Sequence, residues 1–138
     1  FVWHKSLGVL IFVLVLARLL WRLGNPAPAS LPELAAWERN AARVVHGLLY
    51  VLMLALPLSG WVISSASNIP FEVLWLFPLP ALVAPDEQIA ERAAQVHMGL
   101  VWMLSLLLIL HIGAALRHHY VKRNGVLSGM LTGKEMQS

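Results

Sequence analysis

Val96-His97-Met98-Gly99 and, fourteen residues later, Leu110-His111-Ile112-Gly113 bracket an almost unbroken apolar run from Val96 to Leu116. Fourteen residues of α-helix turn through about 1400°, within roughly 40° of a whole number of turns, and rise about 21 Å. Both imidazoles therefore point to one side of one helix, at two depths of a bilayer core about 30 Å thick. Gly99 and Gly113 each follow a histidine by two residues. A flat, bulky group can lie close to the backbone there. Ionisable side chains inside a membrane span lean toward function. Two stacked porphyrins, each taking one axial histidine from this helix, fit the spacing.

Composition sets the surroundings. Of 138 residues, 59% are hydrophobic and only 12% charged, with a mean hydropathy of +0.71, whereas soluble domains carry about 25% charged residues. The expectation is an integral membrane protein, all-α, with three transmembrane helices in this chain. Absence of cysteine excludes disulfides, zinc–thiolate sites, iron–sulfur clusters and thioether-linked haem. The net charge of +3 does not indicate nucleic acid, because the basic residues flank apolar spans and read as topology signals. The chain opens at Phe1-Val2-Trp3 rather than at methionine, so upstream residues are expected to be missing.

The first span covers about Val2 to Leu23, with Trp3 and Trp21 at its ends as an aromatic belt. His4 lies near one end, and Gly8 falls one turn on along the same face. Arg18, fourteen residues after His4, shares that face. It either snorkels to the interface or serves as a cation near a haem propionate or an anionic redox ligand. Gly24 to Ala29 breaks the helix. Ser30-Leu31-Pro32-Glu33 reads as a capping box, and an amphipathic lead-in, Leu34 to Arg43, precedes a span from about Val44 to Ser64. Near its start sits His46, followed by Gly47. It is a candidate ligand, haem-edge hydrogen-bonding partner or quinone contact, against a plain interfacial histidine. Pro57 is expected to kink this span. Residues 64–95 form a long connection rich in Trp, Phe and Pro, lying on or dipping into the interface, with a short helix expected over Phe71 to Leu76. Asp86-Glu87 starts the third helix. His118 follows His111 by seven residues and returns to nearly the same face. One transmembrane domain over 1–138 is expected, with helices at about 2–23, 31–65 and 86–122.

Arg18, Arg22, Arg39 and Arg43, with Arg117, Lys122, Arg123 and Lys134 near the C-terminus, outweigh Lys5 and Arg92 on the opposite side, where Glu72, Asp86, Glu87 and Glu91 lie. The positive-inside rule places the 18–43 connection and the C-terminus in the cytoplasm. His4 and His97 then share an outer level, and His46 and His111 an inner one. Haem b that only transfers electrons takes two axial imidazoles. The outer pair is complete. The inner level has His111 with either His46 or a histidine on an absent helix.

With these residues placed, the chain resembles the bacterial cytochrome b561 family of four-helix, di-haem membrane cytochromes. Trp3-His4-Lys5-Ser6-Leu7-Gly8, Arg18-Leu19-Leu20-Trp21-Arg22 with Pro26 and Pro28, and His46-Gly47-Leu48-Leu49-Tyr50 carry the likeness. So do Pro57-Leu58-Ser59-Gly60-Trp61, Val96-His97, and His111 through Ala114-Ala115 to His118-His119-Tyr120. It is their order and spacing, more than any one motif, that is specific. The resemblance implies an up-down bundle in the bacterial inner membrane, two haems b, His4 and His97 as outer ligands and His111 as an inner one. It places His46 and His118 near the inner haem edge or quinone. It also implies a first helix that is missing here, in the same polypeptide or a partner subunit, bearing the partner of His111. The expected function is electron transfer between an outer-side, periplasmic partner and the ubiquinone pool, among membrane lipid. A superoxide oxidase reducing ubiquinone is a second reading, and a non-redox membrane anchor with structural histidines a third.

Overall fold

The computed structural model describes residues 1–25 and 35–121. Three helices dominate: α1 (Val2–Gly24), α2 (Ala36–Ala66) and α3 (Glu87–Tyr120). Each is long and apolar enough to cross a membrane. Their 23, 31 and 34 residues correspond to about 35, 46 and 51 Å of helix. The first thus matches the hydrocarbon core, while the other two carry polar turns beyond it. Trp21, Leu106 and Ile109 are among many exposed apolar side chains, the expected state of helices whose solvent is hydrocarbon, where every backbone hydrogen bond must close within the segment. The start expected for the second helix near residue 31 and the capping box Ser30–Glu33 lie outside the described residues.

The chain divides into two compact units, Phe1–Pro26 with Tyr50–Leu104, and Ala27–Leu49 with Ser105–Ser138. In the first, α2 ends in a Schellman motif. Ile69 N–H donates to Ser64 C=O (2.9 Å) and Asn68 N–H to Ser65 C=O (3.1 Å), while Asn68 takes the left-handed conformation (φ 54°). Asparagine tolerates that region, and the motif satisfies carbonyls the helix end would leave bare. Asp86 Oδ1 accepts Ile89 N–H at 2.9 Å, capping the start of α3.

Between these ends lies an antiparallel hairpin of β1 (Phe71–Val73) and β2 (Phe77–Leu79). The sequence predicts a short helix over Phe71–Leu76, and the structure corrects this. A six-residue helix barely repays its costly nucleus, and the hairpin finds partners on α1 instead. Leu74 N–H donates to Ser6 Oγ (2.8 Å) and Lys5 Nζ to Pro70 C=O (3.0 Å). Trp75 packs edge-on against Trp3 at 5.4 Å between ring centroids.

The turn is closed by Leu76 N–H to Val73 C=O at 3.1 Å. Its two central residues, Leu74 (φ 51°) and Trp75 (φ 59°), are both left-handed. Turns of this kind favour Asn-Gly, and each bulky residue costs about 1–2 kcal/mol there. Leu74 uses its N–H, not its side chain, to hold Ser6. Leu74→Asn is therefore expected to stabilise the protein by about 1 kcal/mol, seen as a Tm rise of roughly 2–4 °C. A lowered Tm would mean that the Leu74 side chain contributes more than its backbone conformation costs.

In the second unit, Glu38 of α2 is only 7% exposed. Its Oε2 accepts Ala35 N–H at 3.2 Å, one half of a capping box. Its Oε1 faces Arg117 Nη1 at 3.6 Å and His118 Nε2 at 3.9 Å, both from the last turn of α3. A buried carboxylate is tolerable when a donor and a cation meet it in this way.

Candidate functional site

His4 and His97 are brought together in the first unit. Their ring centroids are 6.3 Å apart and their planes 75° apart. His4 stands on the first turns of α1, and His97 projects from α3 toward the Pro57–Trp61 segment of α2. Two contacts receive the His97 ring. Ser59 Oγ lies 2.8 Å from His97 Nδ1. At Gly60, a Cβ would meet His97 Cε1 at 3.5 Å, an ordinary contact, so the imidazole lies along the bare backbone of this turn. Gly8 faces the Pro57 ring, with 3.9 Å from a Cβ built there. Gly99 has open space where a side chain would stand.

Arg18 does not snorkel alone. Its Nε donates to Tyr50 Oη at 2.9 Å, and Arg22, one helical turn on, brings a second positive charge to the same side of α1.

His46 and His111 meet in the second unit, with centroids 5.2 Å apart and planes at 70°. Open space also lies beside Gly113 and beside Gly47. His118 faces the buried Glu38 described above.

The donor set can be tested against an iron porphyrin. Among the described residues no three His, Cys, Asp or Glu side chains converge as a metal-ion site. Paired imidazoles suit instead a metal whose other bonds come from a macrocycle. Two imidazoles facing one iron, with bonds of about 2 Å as for other metal–imidazole pairs and centroids roughly 1 Å behind each nitrogen, stand about 6 Å apart. The His4–His97 separation of 6.3 Å fits that requirement, and the 5.2 Å of His46–His111 is short of it.

Sequence reasoning singled out the histidines, Arg18 and the glycines, but not Ser59, Gly60, Tyr50 or Glu38. Ser59 left one usable signal, a serine beside glycine inside an apolar span. Glu38 left none, because its partners Arg117 and His118 lie about eighty residues away in sequence.

Residues 1–133 match the prokaryotic cytochrome b561 family. Cytochrome b561 homolog 2 of Escherichia coli K12 is 37% identical over 93% of this chain and 68% of its own length. Cytochrome b561 homolog 1 of the same strain is 30% identical over 93% of this chain and 72% of its own. A Yersinia pestis protein named "Probable superoxide oxidase CybB" is 31% identical over 95% of this chain and 74% of its own. Family membership carries haem b binding and a lipid environment with it. With a match over nearly its whole length and three helices able to cross a membrane, this chain belongs to the prokaryotic cytochrome b561 family of bacterial membrane electron carriers.

Proposed function

We propose that the protein is a di-haem b cytochrome that passes electrons between an outer-side donor and the quinone pool, working as one transmembrane domain with its C-terminus in the cytoplasm. The observation that carries this reading is the His4–His97 pair, with ring centroids 6.3 Å apart on two separate helices.

When bound, haem b with two axial imidazoles supplies one-electron transfer with no open coordination position. The chain's own residues supply ligation, orientation and dielectric. His4 and His97 would hold the outer group, with the open backbone at Gly99 leaving room for a planar ring, while Gly8 packs against Pro57. His111 holds the inner group, and Gly113 does there what Gly99 does above. Arg18, with Arg22 and Tyr50, offers positive charge to a carboxylate. His46, its ring centroid 5.2 Å from that of His111, would line the edge of the inner group, whose second ligand would be a different donor. Quinone exchange belongs at this inner end. Reduction of a quinone takes up protons with electrons, and His118 beside buried Glu38 can pass them on. The surplus of Arg on the 18–43 side orients that end to the cytoplasm.

Superoxide oxidation, named for the Yersinia relative, ranks second. Superoxide is an anion steered by positive potential. On the outer side Glu72, Asp86, Glu87 and Glu91 outnumber Lys5 and Arg92, and Lys5 is already engaged with Pro70 and Phe71.

A dithionite-reduced minus oxidised visible spectrum of the purified full-length protein, with pyridine haemochrome quantification, tests the proposal. Two haems b per polypeptide are expected. One haem would remove the second step of transmembrane transfer. A colourless protein would return the histidines to structural roles in a membrane anchor.

A further inference from the structure

We infer that Ser59 is a positioning residue that fixes the tautomer and ring orientation of His97, leaving Nε2 as its free, electron-donating nitrogen. The inference rests on the reading of His97 as an axial ligand, and it concerns how the protein prepares that ligand.

Two short contacts determine the proton positions. Ser59 Oγ lies 2.8 Å from Leu56 C=O and 2.8 Å from His97 Nδ1. A carbonyl oxygen can only accept, and a serine hydroxyl has one proton to give. If that proton pointed to Nδ1, two oxygen lone pairs would face each other at 2.8 Å with nothing between them. The hydroxyl therefore donates to Leu56 C=O, and its oxygen accepts from His97 Nδ1–H. That arrangement puts the proton on Nδ1, and a neutral imidazole then keeps its lone pair on Nε2.

Local sequence explains why the hydroxyl stands there. A serine inside an apolar helix returns its proton to a carbonyl one turn back, which turns its oxygen outward as an acceptor. Gly60 beside it presents no side chain, so the ring reaches the hydroxyl with a Cβ-position clearance of 3.5 Å at Cε1. Histidine ligands are generally held by an acceptor at the second nitrogen, which fixes the tautomer and raises the ligand's basicity. A more basic imidazole favours the oxidised metal. Ser59 thus lowers the reduction potential of the outer centre relative to what His97 alone would give.

The test uses the full-length haem-loaded protein and its Ser59→Ala, Ser59→Thr and Ser65→Ala variants. Redox titration followed in the visible α-band, and ferric low-spin EPR, report the two centres separately from any activity. Ser59→Ala is expected to keep two haems and shift one centre's oxidised-to-reduced ratio about tenfold toward the reduced form, which is a rise of about 59 mV for one electron. Its EPR signal should move with it. Ser59→Thr keeps the hydroxyl and is expected to restore both. Ser65→Ala removes a hydroxyl that bonds Trp61 C=O and Leu82 N–H instead, and it should shift neither centre. Loss of the outer haem in Ser59→Ala, with its return in Ser59→Thr, also supports the inference. Unchanged potentials and EPR in Ser59→Ala, or a shift that Ser59→Thr does not reverse, overturn it. Failure of the underlying reading shows separately, as two haems retained in His97→Ala, and the inference then falls with it.

Discussion

His97→Ala is expected to remove the outer haem from the full-length protein and leave the inner one in place, halving the haem per polypeptide. The substitution deletes one of the two imidazoles whose centroids stand 6.3 Å apart. It also removes the ring nitrogen that lies 2.8 Å from Ser59 Oγ. Loss of an outer-shell partner alone lowers metal affinity roughly 10–100-fold, and loss of the ligand itself should exceed that. His4→Ala should give the same result, and the double variant no more than either alone, because each single change already breaks the pair. Pyridine haemochrome per chain, with the reduced α-band, decides the matter. Two haems retained in His97→Ala would sink the ligand assignment at the outer level.

The second large effect separates the two inner histidines. His111→Ala should abolish the inner haem and, with it, reduction of the outer centre by added quinol. His46→Ala should keep both haems. The reason is the 5.2 Å between the His46 and His111 centroids. One iron between two imidazoles needs about 6 Å, set by two metal–nitrogen bonds of about 2 Å. On the proposed reading His46 would line the edge of the group, where its loss should alter the potential or the quinone reaction more than haem content. Loss of the inner haem in His46→Ala would make His46 the second ligand and reverse this assignment.

Much of this was legible in the chain alone because its causes are local. The apolar runs, the fourteen-residue step from His97 to His111 and the glycines two residues on are set by helix periodicity, which any reader of the sequence can count. Asp86-Glu87 reads as a helix start, and Asp86 caps α3 through Ile89 N–H. The placing of His4 with His97 followed from charge asymmetry between loops, a property of composition, and the two rings do meet.

Other features have no local cause. Phe71–Leu79 became a hairpin, with Leu74 and Trp75 in a conformation their own propensities oppose, because Ser6 and Lys5 sixty-odd residues away supply its hydrogen bonds. Glu38 reads as a surface acid of an amphipathic lead-in, yet Arg117 and His118 meet it as a buried carboxylate. Nor does any count of residues separate 6.3 Å from 5.2 Å between two imidazole pairs, or bring Ser59 Oγ to 2.8 Å from His97 Nδ1. The number and apolar character of the helices, and the spacing of the histidines along them, could be read from the chain, since those depend on periodicity along one segment. Which oxygen faces which nitrogen could not, since a hydrogen bond depends on tenths of an ångström between residues that no periodicity connects.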